Sequence, residues 1–174
     1  MLRMISFSSE SADDVSWRVE IPVPGVVLID VSVGSGGCAV PLHWRAGDWT
    51  KPPLDVSLSA QGRIEAVQFV LQDERVGRAS MRMRCPVTQS GVAEFAVDDW
   101  AADRYRDERV EVSAARSGTD ELVLRIGDPS VDLEYCRAGV GLLLGFDRDE
   151  LAEIVLGPLS LEDWESVGAF SLGG

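Results

Sequence analysis

Hydrophobic and polar positions alternate along most of this chain, and that alternation sets the elements it predicts. Leu54, Val56 and Leu58 point one way, and Asp55, Ser57 and Ser59 the other. Ala60-Gln61-Gly62-Arg63 interrupts the run, and Ile64, Val67, Phe69 and Leu71 resume it. A period of two with a glycine-containing break reads as two strands joined by a tight turn. Gly141–Leu159 has the same form, with Asp147-Arg148-Asp149-Glu150 at its turn.

Further strands are expected at Val15–Ile21, Val26–Val33, Val92–Val97, Arg109–Ala115, Glu121–Ile126 and Val131–Arg137. Val26–Val33 is the most β-branched run and predicts a buried strand. Ala79–Cys85 also alternates, and Met81 and Met83 read as core filling on its apolar face. Two short helices are expected. Asp98 or Asp99 caps one over Asp98–Asp107. The other falls in Leu159–Val167, where Ser160 and Asp163 have capping-box spacing.

The order of these pieces repeats. Arg18-Val19-Glu20-Ile21 is answered by Arg109-Val110-Glu111-Val112, and Val26–Val31 by Leu122–Ile126. His43-Trp44-Arg45-Ala46-Gly47 is answered by Tyr135-Cys136-Arg137-Ala138-Gly139, and then the two hairpins match. This predicts a mainly β fold of two similar antiparallel β-units, packed as a pseudo-twofold sandwich or barrel, with one or two short helices. The expected organisation is one compact domain over residues 1–174. Repeats would span 15–75 and 107–165, with a connecting hairpin and helix at 76–106. A lone sheet of this size cannot hide its apolar face, so the two units are expected to bury each other's.

Composition narrows the function classes. The chain carries 29 acidic and 16 basic residues, a net charge of −13. Such a surface repels phosphate backbones and anionic membranes, so neither nucleic acid nor membrane is an expected partner. No apolar run approaches the ~20 residues that span a bilayer. The first ten residues carry one arginine and no long apolar stretch, which does not read as a secretory leader; the expected location is cytoplasmic.

Cys38, Cys85 and Cys136 are widely spaced and odd in number, which argues against a disulfide framework. With the single histidine, His43, they lack zinc-ligand spacing, so no metal or other cofactor is expected. Gly34-Ser35-Gly36-Gly37 follows a strand but is not followed by a helix pattern. It reads as a hairpin loop rather than a phosphate cradle. Arg75, Arg78, Arg82 and Arg84 form the one basic strip, expected to pair with acids such as Glu94.

The densest chemistry lies in His43–Trp49. His43, Trp44, Arg45, Asp48 and Trp49 are the expected ligand-binding residues, with Arg137 facing them across the pseudo-twofold axis. Tryptophan faces stack ligands, arginine grips carboxylates, and His43 or Asp48 is placed for proton transfer. The competing structural account has the tryptophans roofing the core and Arg45 paired with Asp48. No nucleophile–base pair is evident, and no catalytic residue is assigned. The expected function is a non-catalytic acidic binding protein, regulatory or immunity-type, that masks a basic partner. The alternative is a small-molecule-binding barrel, or an enzyme built on one, with its pocket near His43–Trp49. A third reading is a homodimer formed through an uncovered strand edge.

Overall fold

The computed structural model describes residues 1–9, 14–34, 40–72, 76–78, 89–98, 100, 104–118, 120–129 and 132–168. In chain order the strands are β1 (Met4–Ser8), β2 (Val15–Val23), β3 (Val26–Val33), β4 (Leu42–Gly47), β5 (Leu54–Leu58) and β6 (Ile64–Gln72). Then come β7 (Gly77–Arg78), β8 (Gln89–Ser90), β9 (Val92–Phe95) and β10 (Tyr105–Arg109). The last five are β11 (Val112–Ser117), β12 (Glu121–Ile126), β13 (Glu134–Gly139), β14 (Leu142–Asp147) and β15 (Glu150–Leu156), followed by helix α1 (Leu161–Gly168). The strands form a six-stranded sheet, β10-β4-β5-β6-β3-β2, a seven-stranded sheet, β7-β11-β12-β15-β14-β13-β8, and a two-stranded ladder, β1-β9.

Alternation builds the interior. Val27, Ile29, Val31, Val56, Val67 and Phe69 of the first sheet share one buried cluster with Leu122, Leu124, Ile126, Leu144 and Ile154 of the second. Each sheet therefore hides its apolar face against the other, removing from water surface worth roughly 25 cal/mol per Å².

The two sheets carry the same five-strand unit. β2-β3-β6-β5-β4 in one corresponds to β11-β12-β15-β14-β13 in the other, with identical order in the chain. A row of register partners crosses each unit. In the first it runs Trp17, Val31, Val67, Val56, Trp44. In the second it runs Ala114, Leu124, Ile154, Leu144, Cys136. Beside this row each hairpin breaks register at the same place. Glu65 is skipped between the pairs Ser57↔Ala66 and Leu58↔Ile64, and Ala152 between Gly145↔Glu153 and Phe146↔Leu151. One extra residue there bends each β-hairpin.

The register fixes which sequence matches hold in space. His43–Gly47 does lie opposite Tyr135–Gly139 in the two frames, and the hairpins coincide. Arg18-Val19-Glu20-Ile21 and Arg109-Val110-Glu111-Val112 do not coincide. Arg109 ends β10 in the first sheet and Val112 begins β11 in the second, so the expected strand Arg109–Ala115 is split between sheets.

Two other expectations are corrected. Residues 105–107 of the expected helix Asp98–Asp107 belong to β10, which pairs in parallel with β4 from Tyr105↔His43 to Arg109↔Gly47. Backbone pairing to a sheet edge outweighs a lone capping aspartate. Gly34 does not open a hairpin: β3 and β4 are separated in the sheet by β6 and β5, so the segment after it is a crossover. Residues 35–37, Cys38, Cys85, Arg75, Arg82, Arg84 and the expected strand Ala79–Cys85 lie outside the described residues.

The C-terminal helix forms as its spacing predicts. Ser160 Oγ accepts from the Asp163 amide at 3.1 Å, and Asp163 Oδ2 accepts from the Ser160 amide at 3.0 Å. This reciprocal pair satisfies two helix-end groups. Trp164 and Val167 turn into the core, and Arg116 of β11 lies over the Trp164 ring at 4.4 Å. No helix among the described residues is long and apolar enough to cross a membrane.

The β1-β9 ladder ties the hairpin turns together. The Met4 amide donates to Asp149 O at 2.7 Å and the Leu151 amide to Leu2 O at 2.9 Å, so β1 is stitched to the β14–β15 turn. The Phe95 amide donates to Gly62 O at 3.0 Å, stitching β9 to the β5–β6 turn. Glu94 accepts from Ser6 and from Arg63, and these hydrogen bonds hold its carboxyl below the usual range. Among the described residues Arg63 is the cation that meets Glu94.

Gly62 is the tightest point of this junction. Its φ is +80°, and a Cβ there would stand 2.1 Å from Phe95 O. Gly62→Ala is expected to cost more than the ~1 kcal/mol of an ordinary unfavourable backbone change, because the strand must also move. Gly118→Ala, at φ +63° with open space around it, should cost only the smaller amount. Urea denaturation of both variants measures the difference.

Candidate functional site

The outer face of β10-β4-β5 gathers most of the chemistry. Trp44 and Ala46 point into the core, so His43 and Arg45, which alternate with them, point out. The parallel pairing of β10 brings Tyr105 beside His43 and Asp107 beside Arg45. Asp55 and Ser57 occupy the outward positions of β5 next to Arg45 and His43.

Arg45 is held in a fork. Its Nε and Nη2 donate to the two Asp107 oxygens at 2.7 and 2.9 Å. Its guanidinium lies 4.6 Å from the Tyr105 ring centroid and 5.6 Å from that of Trp49. The His43 ring stacks on Tyr105 with centroids 5.0 Å apart and planes 15° off parallel. Tyr105 and Trp49 are 54% and 41% exposed, so this cluster presents aromatic surface to solvent.

The His43 geometry limits its chemistry. Asp55 Oδ1 lies 2.9 Å from His43 Nδ1, and Ser57 Oγ lies 3.3 Å from the same nitrogen. In a nucleophile relay the hydroxyl and the orienting carboxylate address opposite ring nitrogens. Here they address one, so Asp55 fixes the ring and Ser57 is not activated through it. Among the described residues no group of three His, Cys, Asp or Glu is arranged to hold a metal.

The expected site residues are therefore divided. His43, Arg45 and Trp49 come together. Trp44 does not join them: it is fully buried, and its Nε1 donates to Glu108 Oε2 at 3.0 Å. Asp48 does not pair with Arg45. It accepts from the Thr50 amide and hydroxyl at 2.9 and 2.7 Å, and these bonds lower its carboxyl from the ordinary value. Arg137 occupies the place in β13 that Arg45 occupies in β4. Since Cys136 and Ala138 face the core, Arg137 points off the outer face of the other sheet. The two arginines cannot line one mouth, because strand alternation sends them to opposite outsides.

Asp55, Tyr105 and Asp107 complete the cluster and were missed as site residues. Asp55 was legible as an outward residue on its strand; Tyr105 and Asp107 were hidden by the helix reading.

A separate cleft of about 490 Å³ opens where β10 passes to β11. Asp48, Lys51, Arg109, Glu111 and Ser113 line it. Lys51 is the chain's only lysine, and burial lowers its pKa against the attraction of Asp48 and Glu111.

The outer face of the second sheet is built differently. Val123, Leu133, Tyr135, Ala152 and Val155 form a buried cluster there. Glu153, 3% exposed, accepts from Tyr135 Oη at 2.7 Å and from Arg125 Nε at 2.9 Å. Gly145 leaves room for this trio: a Cβ on it would meet the Tyr135 ring at 2.8 Å. Cys136, on the core side, is a free thiol whose pKa burial pushes up to about 12.

Neither a scan of protein-family models nor a search of curated proteins finds a match to this chain.

Two outcomes follow from the placement of these side chains. Trp44→Ala should cost about 3–5 kcal/mol by emptying the core, whereas Arg45→Ala, a half-exposed pair, should cost under ~1 kcal/mol. Denaturant midpoints check both. Cys136 stays protonated through the physiological range, so its peptide should resist iodoacetamide in the folded protein and react once denaturant is added; mass spectrometry reads the difference.

Proposed function

We propose that this chain, two copies of one β-unit joined in one body, is a non-catalytic binding protein that masks a basic protein partner. The observation that carries the reading is the exposed Tyr105–Arg45–Trp49 cluster. Tyrosine, tryptophan and arginine supply most of the binding energy at protein interfaces, and here Tyr105 and Arg45 stand on paired strands with Trp49 in the bend just after β4. The net charge of −13 favours a cationic partner and speeds its encounter. The shared Nδ1 contact of Asp55 and Ser57 supports positioning rather than catalysis. A cytoplasmic setting fits this reading.

A second reading, small-molecule binding, is favoured by the cleft at Lys51 and Arg109. A ligand with an anionic group would meet Lys51 and Arg109 there, beside the carboxylates of Asp48 and Glu111.

Capture from the protein's own cytosol separates the two. A basic protein should be retained in stoichiometric amount, should be released as salt rises, and should be lost with Trp49→Ala/Tyr105→Ala. A retained anionic metabolite without a protein would favour the cleft. A partner held equally by the double variant would sink the role of the cluster, and a second copy of this chain as the sole partner would sink the reading itself.

A further inference from the structure

The six-stranded sheet carries an unbroken line of polar side chains across its outer face. Successive register pairs run Arg18↔Asp30, Asp30↔Gln68, Gln68↔Asp55, Asp55↔Arg45 and Arg45↔Asp107, one residue from each of the six strands. The row beside it is Ser16, Ser32, Ala66, Ser57, His43 and Tyr105. Four of those six side chains are small. The face is therefore flat, polar in the middle and aromatic at the β10 end.

The chain contains its own comparison. In the frame set by the matching core rows and hairpin breaks, the equivalent line on the second sheet runs Ala115, Val123, Val155, Leu143, Arg137 and Ser90. Val123 and Val155 there are 3% and 2% exposed and belong to a buried apolar cluster. The positions of Asp30, Gln68 and Asp55 are thus valine, valine and leucine in the other half. The β-unit folds with an apolar line at that place, so folding does not demand the charged one.

Charge along the line identifies what it would hold. At its ends, Arg18 reaches Glu20 at 3.2 Å and Arg45 is gripped by Asp107. Between them stand Asp30 and Asp55 with only neutral Gln68 intervening. They lie two strand spacings apart, about 10 Å. Asp55 Oδ1 meets His43 Nδ1 at 2.9 Å, and the Asp55 side chain stays 24% exposed on the strand's polar side.

Resting on the function proposed above, we infer that the basic partner docks flat on this face, with cationic side chains about 10 Å apart on Asp30 and Asp55 and its apolar surface against Tyr105 and Trp49. The partner class is a protein segment bearing spaced arginine or lysine. Fixed carboxylates on a sheet hold such groups in register, and charge-assisted bonds to them are the stronger kind.

The test uses the whole chain and a defined probe, a synthetic peptide of alternating arginine and serine. Amide shifts on titration should concentrate at Arg18, Asp30, Gln68, Asp55 and Tyr105. Asp30→Asn/Asp55→Asn should weaken binding about tenfold, equivalent to about 1.4 kcal/mol. Gln68→Lys, at an exposed position, should weaken it as well and guards against a folding defect in the double variant. Glu162→Gln/Glu165→Gln on α1 should change little. Shifts spread evenly over all acidic surface, or unchanged binding by the Asp30/Asp55 and Gln68 variants, would overturn the proposal. The cytosolic capture then tells the two failures apart. A basic partner held by wild type and by Asp30→Asn/Asp55→Asn alike removes this face but leaves the function standing. No basic partner held by wild type removes the function.

Discussion

The structure depends on one mutual burial. Each sheet has a side of valine, leucine, isoleucine and phenylalanine that α1, the one helix among the described residues, is too short to cover. The other sheet covers it. Once that is required, much else follows. Strand alternation must hold phase across every hairpin, because a slip of one residue would turn an entire strand inside out. The extra residues at Glu65 and Ala152 fall at the same place in both hairpins and bend each ladder without disturbing the inward set on either side.

The same constraint explains why the outer faces are free to differ. Inward residues answer to the shared core and are apolar in both units, though tryptophan in one stands where alanine or cysteine stands in the other. Outward residues answer only to what lies outside. On the first sheet these are His43, Asp55, Ser57, Asp30 and Gln68. On the second they are Tyr135, Leu143, Gly145, Val123 and Val155. A carboxylate such as Glu153 is kept in a nearly dry place there only because Tyr135 and Arg125 both reach it. Removing one of those partners would leave a charge with too few donors, a costly state in a buried setting.

Much of the fold was legible in the alternation of residues, and for a plain reason. The hairpin at 54–71 keeps a period of two, and 142–156 is a pair of apolar runs around a polar turn, both signals local in the chain. The helix at 161–168 was legible from Ser160 and Asp163 because a capping box is also local. What was not legible depended on partners far away in sequence. Tyr105–Arg109 is a strand because β4 offers it an edge some sixty residues earlier, and nothing in Tyr105-Arg106-Asp107 announces that edge. The site followed the same divide. His43, Arg45 and Trp49 were found as a dense local string, but so was Trp44, which alternation alone should have placed inside. Asp107, the group that actually grips Arg45, could not be found without the parallel pairing.

The stitching of β1 to the β14–β15 turn has a consequence for how the molecule is made. The residues that receive Leu2 and Met4, at positions 149 to 151, follow them by 145 residues or more and leave the ribosome long after them. β9 offers the first strand a ladder earlier, but until that turn emerges the apolar Leu2 must wait in water or be sheltered by a chaperone. The β5–β6 turn likewise lacks a contact until β9 has emerged, since the Phe95 amide donates to Gly62 O. Arrival of the β14–β15 turn, rather than formation of the first hairpin, is then the step that seats the first strand fully.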